Sequence, residues 1–155
     1  MMPGNKIPAP ALNPLSLFTL ERRLPVAITL PVRTRTRIEM IDISASVQNE
    51  LSKGGIQEGL CVVYVPHTTA GITVNEGADP AVCHDILTQL NTLVPAGEAY
   101  RHLEGNSDSH IKASLMGSSV VIPFEKGRLM LGTWQKIFFC EFDGPRSRKV
   151  FLKIQ

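Results

Sequence analysis

Residues 133–142 read TWQKIFFCEF, and no other stretch constrains the fold as much. Side chains of an extended strand point alternately to opposite faces, so the apolar run at its centre puts bulky groups on both. A strand of that kind cannot have one face in water. Something must cover each side, either a second sheet or another subunit.

The surrounding sequence supplies strands. SVVIPF (119–124), a turn at Glu125-Lys126-Gly127, RLML (128–131), a turn at Asp143-Gly144-Pro145 and RKVFLKI (148–154) form a strand-rich tail. ITLPVRTRTRI (28–38) has period two, with Ile28, Leu30, Val32 and Ile38 on one face and Arg33, Arg35 and Arg37 on the other. Pro31 places that strand at an edge or a bulge. LCVVYVP (60–66) is continuously apolar, as a strand covered on both faces would be.

Two helices are expected. ISASVQNELSKGG starts at a serine cap and ends at Gly54-Gly55, with Ile43, Val47 and Leu51 as its buried stripe. A polar segment, HTTAGITVNEGADP (67–80), leads into the second. There Asp79 is a natural cap, Pro80 suits the first helical position, and Val82, Ile86, Leu90 and Leu93 make the stripe. HIKASLMG (110–117) reads as a brief helix or turn. The expected fold class is α+β, a largely antiparallel sheet or sandwich with two helices packed on it.

The chain has 155 residues, which suits one compact domain. Residues 1–20 hold Pro3, Pro8, Pro10 and Pro14 without periodicity and read as an irregular extension, leaving 21–155 as a single domain. A net charge of +2 points to neither nucleic acid nor a membrane surface, and no apolar run is long enough to span a bilayer. Cys61, Cys83 and Cys140 form no CxxC pair, so buried thiols in a cytoplasmic protein are expected rather than disulfides.

The chemistry gathers in RHLEGNSDSH (101–110) and just after the apolar strand at His67. His67, His102 and His110 have two readings. Three converging imidazoles would make a zinc-type site with a position left for water or substrate; otherwise they are surface or hydrogen-bonded histidines. Glu104 or Asp108 would orient an imidazole or serve as base. His84 lies on the exposed flank of the second helix. Lys112, two residues after His110, is either a solvated lysine or, if a helix starts there, a neighbour of an N-terminus where anions are favoured. Thr68 and Thr69 either orient a ligand by their hydroxyls or cap a turn. Trp134, beside Gln135, is either core or the wall of a slot for a flat ring.

HTTAGITVNEGADP, HLEGNSDSHIKASLMGSS and GRLMLGTWQKIFFCEFDGPR together resemble the YjbQ-like family, in matching order and spacing, from about Val26 to the C-terminus. Some members of that family are described as secondary thiamine-phosphate synthases. The resemblance implies a β-sandwich with two helices assembled as a homotrimer, with the polar motifs near the subunit interfaces. It matches His67, His102 and His110 to a metal-binding set. It also matches Asn106, Asp108, Ser109 and Lys112 to a central motif, and Thr133, Trp134 and Gln135 to a later one. Two departures stand out: Gly71 takes the place of a small apolar residue, and Lys126 that of the asparagine common at the hairpin turn.

The implied activity is a metal-dependent coupling of a pyrimidine methyl diphosphate with a thiazole phosphate. Glu104, Asp108 and Lys112 would be its catalytic groups, and Thr68, Thr69, Asn106, Ser109, Thr133, Trp134 and Gln135 its substrate contacts. One tension is physical: three imidazoles suit zinc, whereas a diphosphate substrate usually travels with magnesium. The alternatives are a metal-dependent hydrolase and a non-catalytic trimeric binding protein for a small phosphorylated ligand.

Overall fold

A computed structural model of the chain describes residues 27–97 and 99–155, so the expected extension at 1–20 lies outside the described residues. The element order is β1 (Ile28–Arg33), β2 (Glu39–Asp42), α1 (Ser44–Lys53), β3 (Glu58–Tyr64), β4 (Ala70–Glu76), α2 (Pro80–Leu93), α3 (Ser107–Met116), β5 (Ser119–Glu125), β6 (Arg128–Leu129), β7 (Gln135–Glu141) and β8 (Ser147–Ile154). The strands form a five-stranded sheet, β1-β8-β3-β5-β6, and a three-stranded one, β2-β7-β4, with every pairing antiparallel. The class is α+β. Among the described residues there are three helices, where the sequence suggested two.

The alternating pattern accounts for most of this. Val150, Leu152 and Ile154 of β8, Cys61 and Val63 of β3 and Ile122 and Phe124 of β5 meet Ile72, Ile137 and Phe139 from the smaller sheet in one core. Val47 and Leu51 of α1 are fully buried in that core, as their spacing demands. Ser44 does not cap α1. Its hydroxyl accepts the Ile137 N–H at 2.8 Å, tying the helix to β7. Asp79 does cap α2, accepting the Ala81 N–H at 2.8 Å. The stretch 28–38 is not one strand: β1 ends at Arg33, and β2 starts at Glu39 in the other sheet. β1 is an edge strand, where Pro31 costs no ladder bond.

The covering of β7 is settled inside the chain. Ile137 and Phe139 face the shared core, while Phe138 and Cys140 join Phe142 and Ala113 in a second cluster. Cys83, Leu87 and Leu90 of α2 and Met116 of α3 pack on that cluster. The outer cover is therefore two helices, not a second sheet or another subunit. Leu93, expected in the buried stripe of α2, is 65% exposed. Burial pushes the thiols of Cys61 and Cys140 up to about 11 and about 12, so both stay protonated and inert, and all three cysteines are free. No helix among the described residues is long and apolar enough to cross a membrane.

β4 lies within the segment read as merely polar, and Gly71 explains how α3 settles on it. A Cβ at Gly71 would lie 2.8 Å from Met116 Cβ and 2.9 Å from the Gly117 carbonyl oxygen, which itself accepts the Ile72 N–H at 3.0 Å. Gly71→Ala is expected to cost about 1–3 kcal/mol through overpacking, read as a lower urea midpoint at unchanged slope.

Candidate functional site

α3 organises the polar residues. It starts at Ser107, inside RHLEGNSDSH, and its first turn has no side-chain cap. Ser107 and Asp108 therefore begin the helix with N–H groups that no side chain satisfies, the positive end of the helix dipole. Asp108 and Lys112, four apart on the inner face, are each 1% exposed. The Lys112 ammonium donates to Asp108 Oδ2 at 2.9 Å, and Arg37 reaches in from the bend between β1 and β2 to donate to both carboxylate oxygens, at 2.9 and 3.2 Å. Burial pushes the Asp108 carboxyl up, but the hydrogen bonds and charges of Arg37 and Lys112 outweigh it and hold the group below its ordinary value. Two cations share one carboxylate, so this triad carries one positive charge in excess.

Several expected contacts are structural. Ser109 is buried and donates to the Phe142 carbonyl at 2.6 Å. Thr69 is buried and accepts from Arg148 at 2.8 Å. Asn106 donates to Asp143 at 3.1 Å, while its buried Oδ1 has no partner. A second buried pair, Glu141 with Arg148 at 2.6 Å, was invisible in the sequence: a glutamate closing an apolar strand looks like its solvated end. Glu141 instead accepts from Arg148, Thr34 and the backbone N–H groups of Phe142 and Asp143.

The histidines are neighbours along a groove. His67 and His110 line one hollow of about 550 Å³ with Thr68, Tyr64, Ser114 and Ser118. His110 also lines an adjoining hollow of about 410 Å³ with Tyr100, Arg101, His102 and Ser107. The His102 and His110 rings meet edge to face, 5.3 Å between centroids, and Glu104 lies 3.7 Å from His102 on the exposed side. Lys112 lines neither hollow, because its ammonium is turned inward to Asp108. Thr133, Trp134 and Gln135 are elsewhere: they precede or open β7, whereas Thr69 adjoins the residue paired with its far end, about 20 Å away along seven residues of strand. Trp134 is 63% exposed, and the Gln135 side chain accepts the Gly132 N–H at 2.8 Å in a turn. A larger hollow of about 630 Å³ lies beside α1 and the β5–β6 turn. Of its polar side chains, Gln48 is spent clamping the turn through Gly127 and Leu129, and Lys126 and Arg128 lie on the turn itself.

A single-chain metal centre does not fit this geometry. Among the described residues no three His, Cys, Asp or Glu groups are disposed to hold an ion, and His67 Nε2 already accepts the Lys149 N–H at 3.0 Å. Among the described residues His67, His102 and His110 are not disposed as one ligand set.

The family described as UPF0047 protein YjbQ-like matches residues 28–155. The chain belongs to this family. A UPF0047 protein of Methanocaldococcus jannaschii is 51% identical over 123 residues, covering 79% of this chain and 89% of that one. YugU of Bacillus subtilis, also a UPF0047 protein, is 50% identical over 127 residues, covering 81% and 96%. The crystal structure of an uncharacterized conserved YjbQ/UPF0047 protein from Clostridium acetobutylicum superposes with a TM-score of 0.81 at 53% identity, covering 83% of this chain and 99% of that one. A hypothetical protein from Aeropyrum pernix gives a TM-score of 0.80 at 41% identity, with coverages of 84% and 98%. These YjbQ-like relatives carry a family designation and no activity, so reading this chain as a metal-binding thiamine-phosphate synthase-like enzyme is overturned.

Proposed function

We propose that this YjbQ-like chain binds a small phosphorylated molecule in the groove centred on His110, and does so as a cytoplasmic homotrimer. The observation carrying the reading is the composition of the hollow at the start of α3. Arg101, His102, Ser107 and His110 line it at the uncapped first turn of a ten-residue helix, beside the Asp108 carboxylate that buried Lys112 and half-exposed Arg37 share. Backbone N–H groups, imidazole donors and a guanidinium are the groups that recognise phosphate oxygens.

The trimer rests on the outer face of the five-stranded sheet. Leu60, Tyr64 and Val121 there are 42%, 44% and 56% exposed, beside Val62, Pro123 and Phe151, their neighbours in the β3, β5 and β8 registers. The sequence expected β3 to be covered on both faces, and among the described residues it is covered on one. On this reading the two sheets form a sandwich whose bare face meets another copy, and Tyr64, on that face and in the groove wall, puts the groove next to the interface.

Titration with inorganic phosphate, followed by the ring-proton resonances of His102 and His110, tests the binding. Both are expected to move together and saturate, and His110→Ala is expected to weaken binding by about tenfold or more, the worth of one charge-assisted hydrogen bond. Resonances that stay fixed up to tens of millimolar phosphate would overturn the reading.

A further inference from the structure

Among the described residues the five-stranded sheet has two edges, β1 and β6, and each is closed by a different device. At the first, the Thr34 N–H just past β1 donates to the Arg146 carbonyl at 3.0 Å. Antiparallel pairing alternates, so Leu30 and Val32 turn their backbone groups towards β8 and Pro31 turns away from it. Proline has no N–H to offer a further strand, which blunts that edge.

β6, at the other edge, has no proline. The Met130 N–H donates to the Pro123 carbonyl at 2.8 Å, and Arg128 pairs with Glu125 across the turn. The backbone groups of Gly127 and Leu129 therefore point outward. A hollow of about 630 Å³ beside them leaves room for another chain. The outward groups nearest the turn are nevertheless taken. The Gly127 N–H donates to the Gln57 carbonyl at 2.9 Å. The Gln48 carboxamide takes the next two: its Nε2 donates to the Gly127 carbonyl at 2.8 Å, and its Oε1 accepts the Leu129 N–H at 3.0 Å.

A carboxamide carries the same donor and acceptor as a peptide group. Here it joins a carbonyl and an N–H two residues apart, as one residue of a parallel neighbouring strand would. The other Nε2 hydrogen goes to Ser52 Oγ at 3.1 Å, one turn along α1. The side chain cannot swing out without losing its bonds to Gly127, Leu129 and Ser52 together. α1 in turn is anchored by Val47 and Leu51, both fully buried. An incoming strand that pairs with β6 must take the Leu129 N–H, and Gln48 holds it.

We infer that Gln48 is an edge guard: its side chain stands in for a sixth strand and keeps the β6 edge of one copy from pairing with the β6 edge of another. The guard stands apart from the histidine groove, since neither Gln48 nor β6 lines those hollows. It also stands apart from the bare sheet face, because its bonds run along the edge of the sheet.

The test compares the full-length wild type with Gln48→Met and Gln48→Asn. Methionine keeps the length of the side chain without its donor and acceptor, and asparagine keeps the carboxamide one methylene short of the edge. In dilute solution both variants are expected to exchange the Leu129 amide hydrogen about tenfold faster than wild type, at unchanged circular dichroism. On concentration both are expected to form species heavier than wild type, in which that amide slows again as copies pair. A wild type whose Leu129 amide exchanges as freely as an exposed loop overturns the inference, as do variants that keep the wild-type mass at every concentration. Self-association with Leu129 still exchanging fast overturns it too, by placing the contact elsewhere. Loss of the fold in both variants would make Gln48 a folding contact and not a guard.

Discussion

Asp108→Asn is expected to destabilise the protein by about 3–5 kcal/mol, the largest single-site effect among these residues. The substitution removes the charge that compensates Lys112, a cation 1% exposed with no route to solvent, and weakens the hold on Arg37. A loss of that size is a large part of the 5–15 kcal/mol that holds a typical domain together. The cost comes from stranding a buried cation more than from losing an attraction. Asp108→Asn combined with Lys112→Met is therefore expected to recover much of the stability, since an apolar replacement for a buried pair is often close to neutral. Acid provides an independent check. The Asp108 carboxyl is held below its ordinary value in the folded chain, so on acidification the unfolded chain takes up its proton first. The stabilisation is complete above about pH 4 and is lost as pH falls through the lowered folded value. Urea midpoints measured from neutral pH downward should fall more steeply in wild type than in Asp108→Asn. Equal neutral midpoints for the two would show that the pair does not hold α3 in place.

That network also marks where the sequence stopped being legible. Period-two runs such as Val150, Leu152 and Ile154 announce a strand and its inner face, and Asp79-Pro80 announces a helix start, because local chemistry decides both. α3 does the opposite of what an amphipathic pattern expects: Asp108, Ser109 and Lys112 are inside while Ile111 and Leu115 are 39% and 61% exposed. Only the arrival of Arg37, 71 residues earlier in the chain, makes that burial affordable. β4 was hidden for a related reason, since Ala70, Ile72 and Val74 alternate with Gly71, Thr73 and Asn75 and the segment reads as polar. The histidines were found, but spacing carries no angles. Two line one hollow and the third leans on its neighbour, a groove rather than a point, and Trp134 lies just before the start of β7, away from them.

Val121→Glu is expected to convert the proposed trimer to single chains while leaving the fold unchanged. In one chain Val121 is 56% exposed on the outer face of β5, opposite Val62 of β3, so a glutamate there meets water and costs the monomer little. Covered by another copy, the same carboxylate would be desolvated among Leu60, Val62, Tyr64 and Phe151, with Lys153 two strands away as the nearest cation of that face, which is unfavourable by several kcal/mol at each of three interfaces. The apolar groups lose their cover at the same time, each contributing about 1 kcal/mol as the exposed half of its surface is buried. Sedimentation of wild type should return three times the 17.0 kDa chain, and Val121→Glu a single chain with unchanged circular dichroism. Asn49→Glu, on the exposed side of α1, is expected to keep the larger mass. Because Tyr64 belongs to both the bare face and the groove wall, the single chain should also bind phosphate esters less tightly than the trimer. A wild type that sediments as one chain, or a Val121→Glu variant that stays assembled, would mean that the bare sheet face has a different purpose.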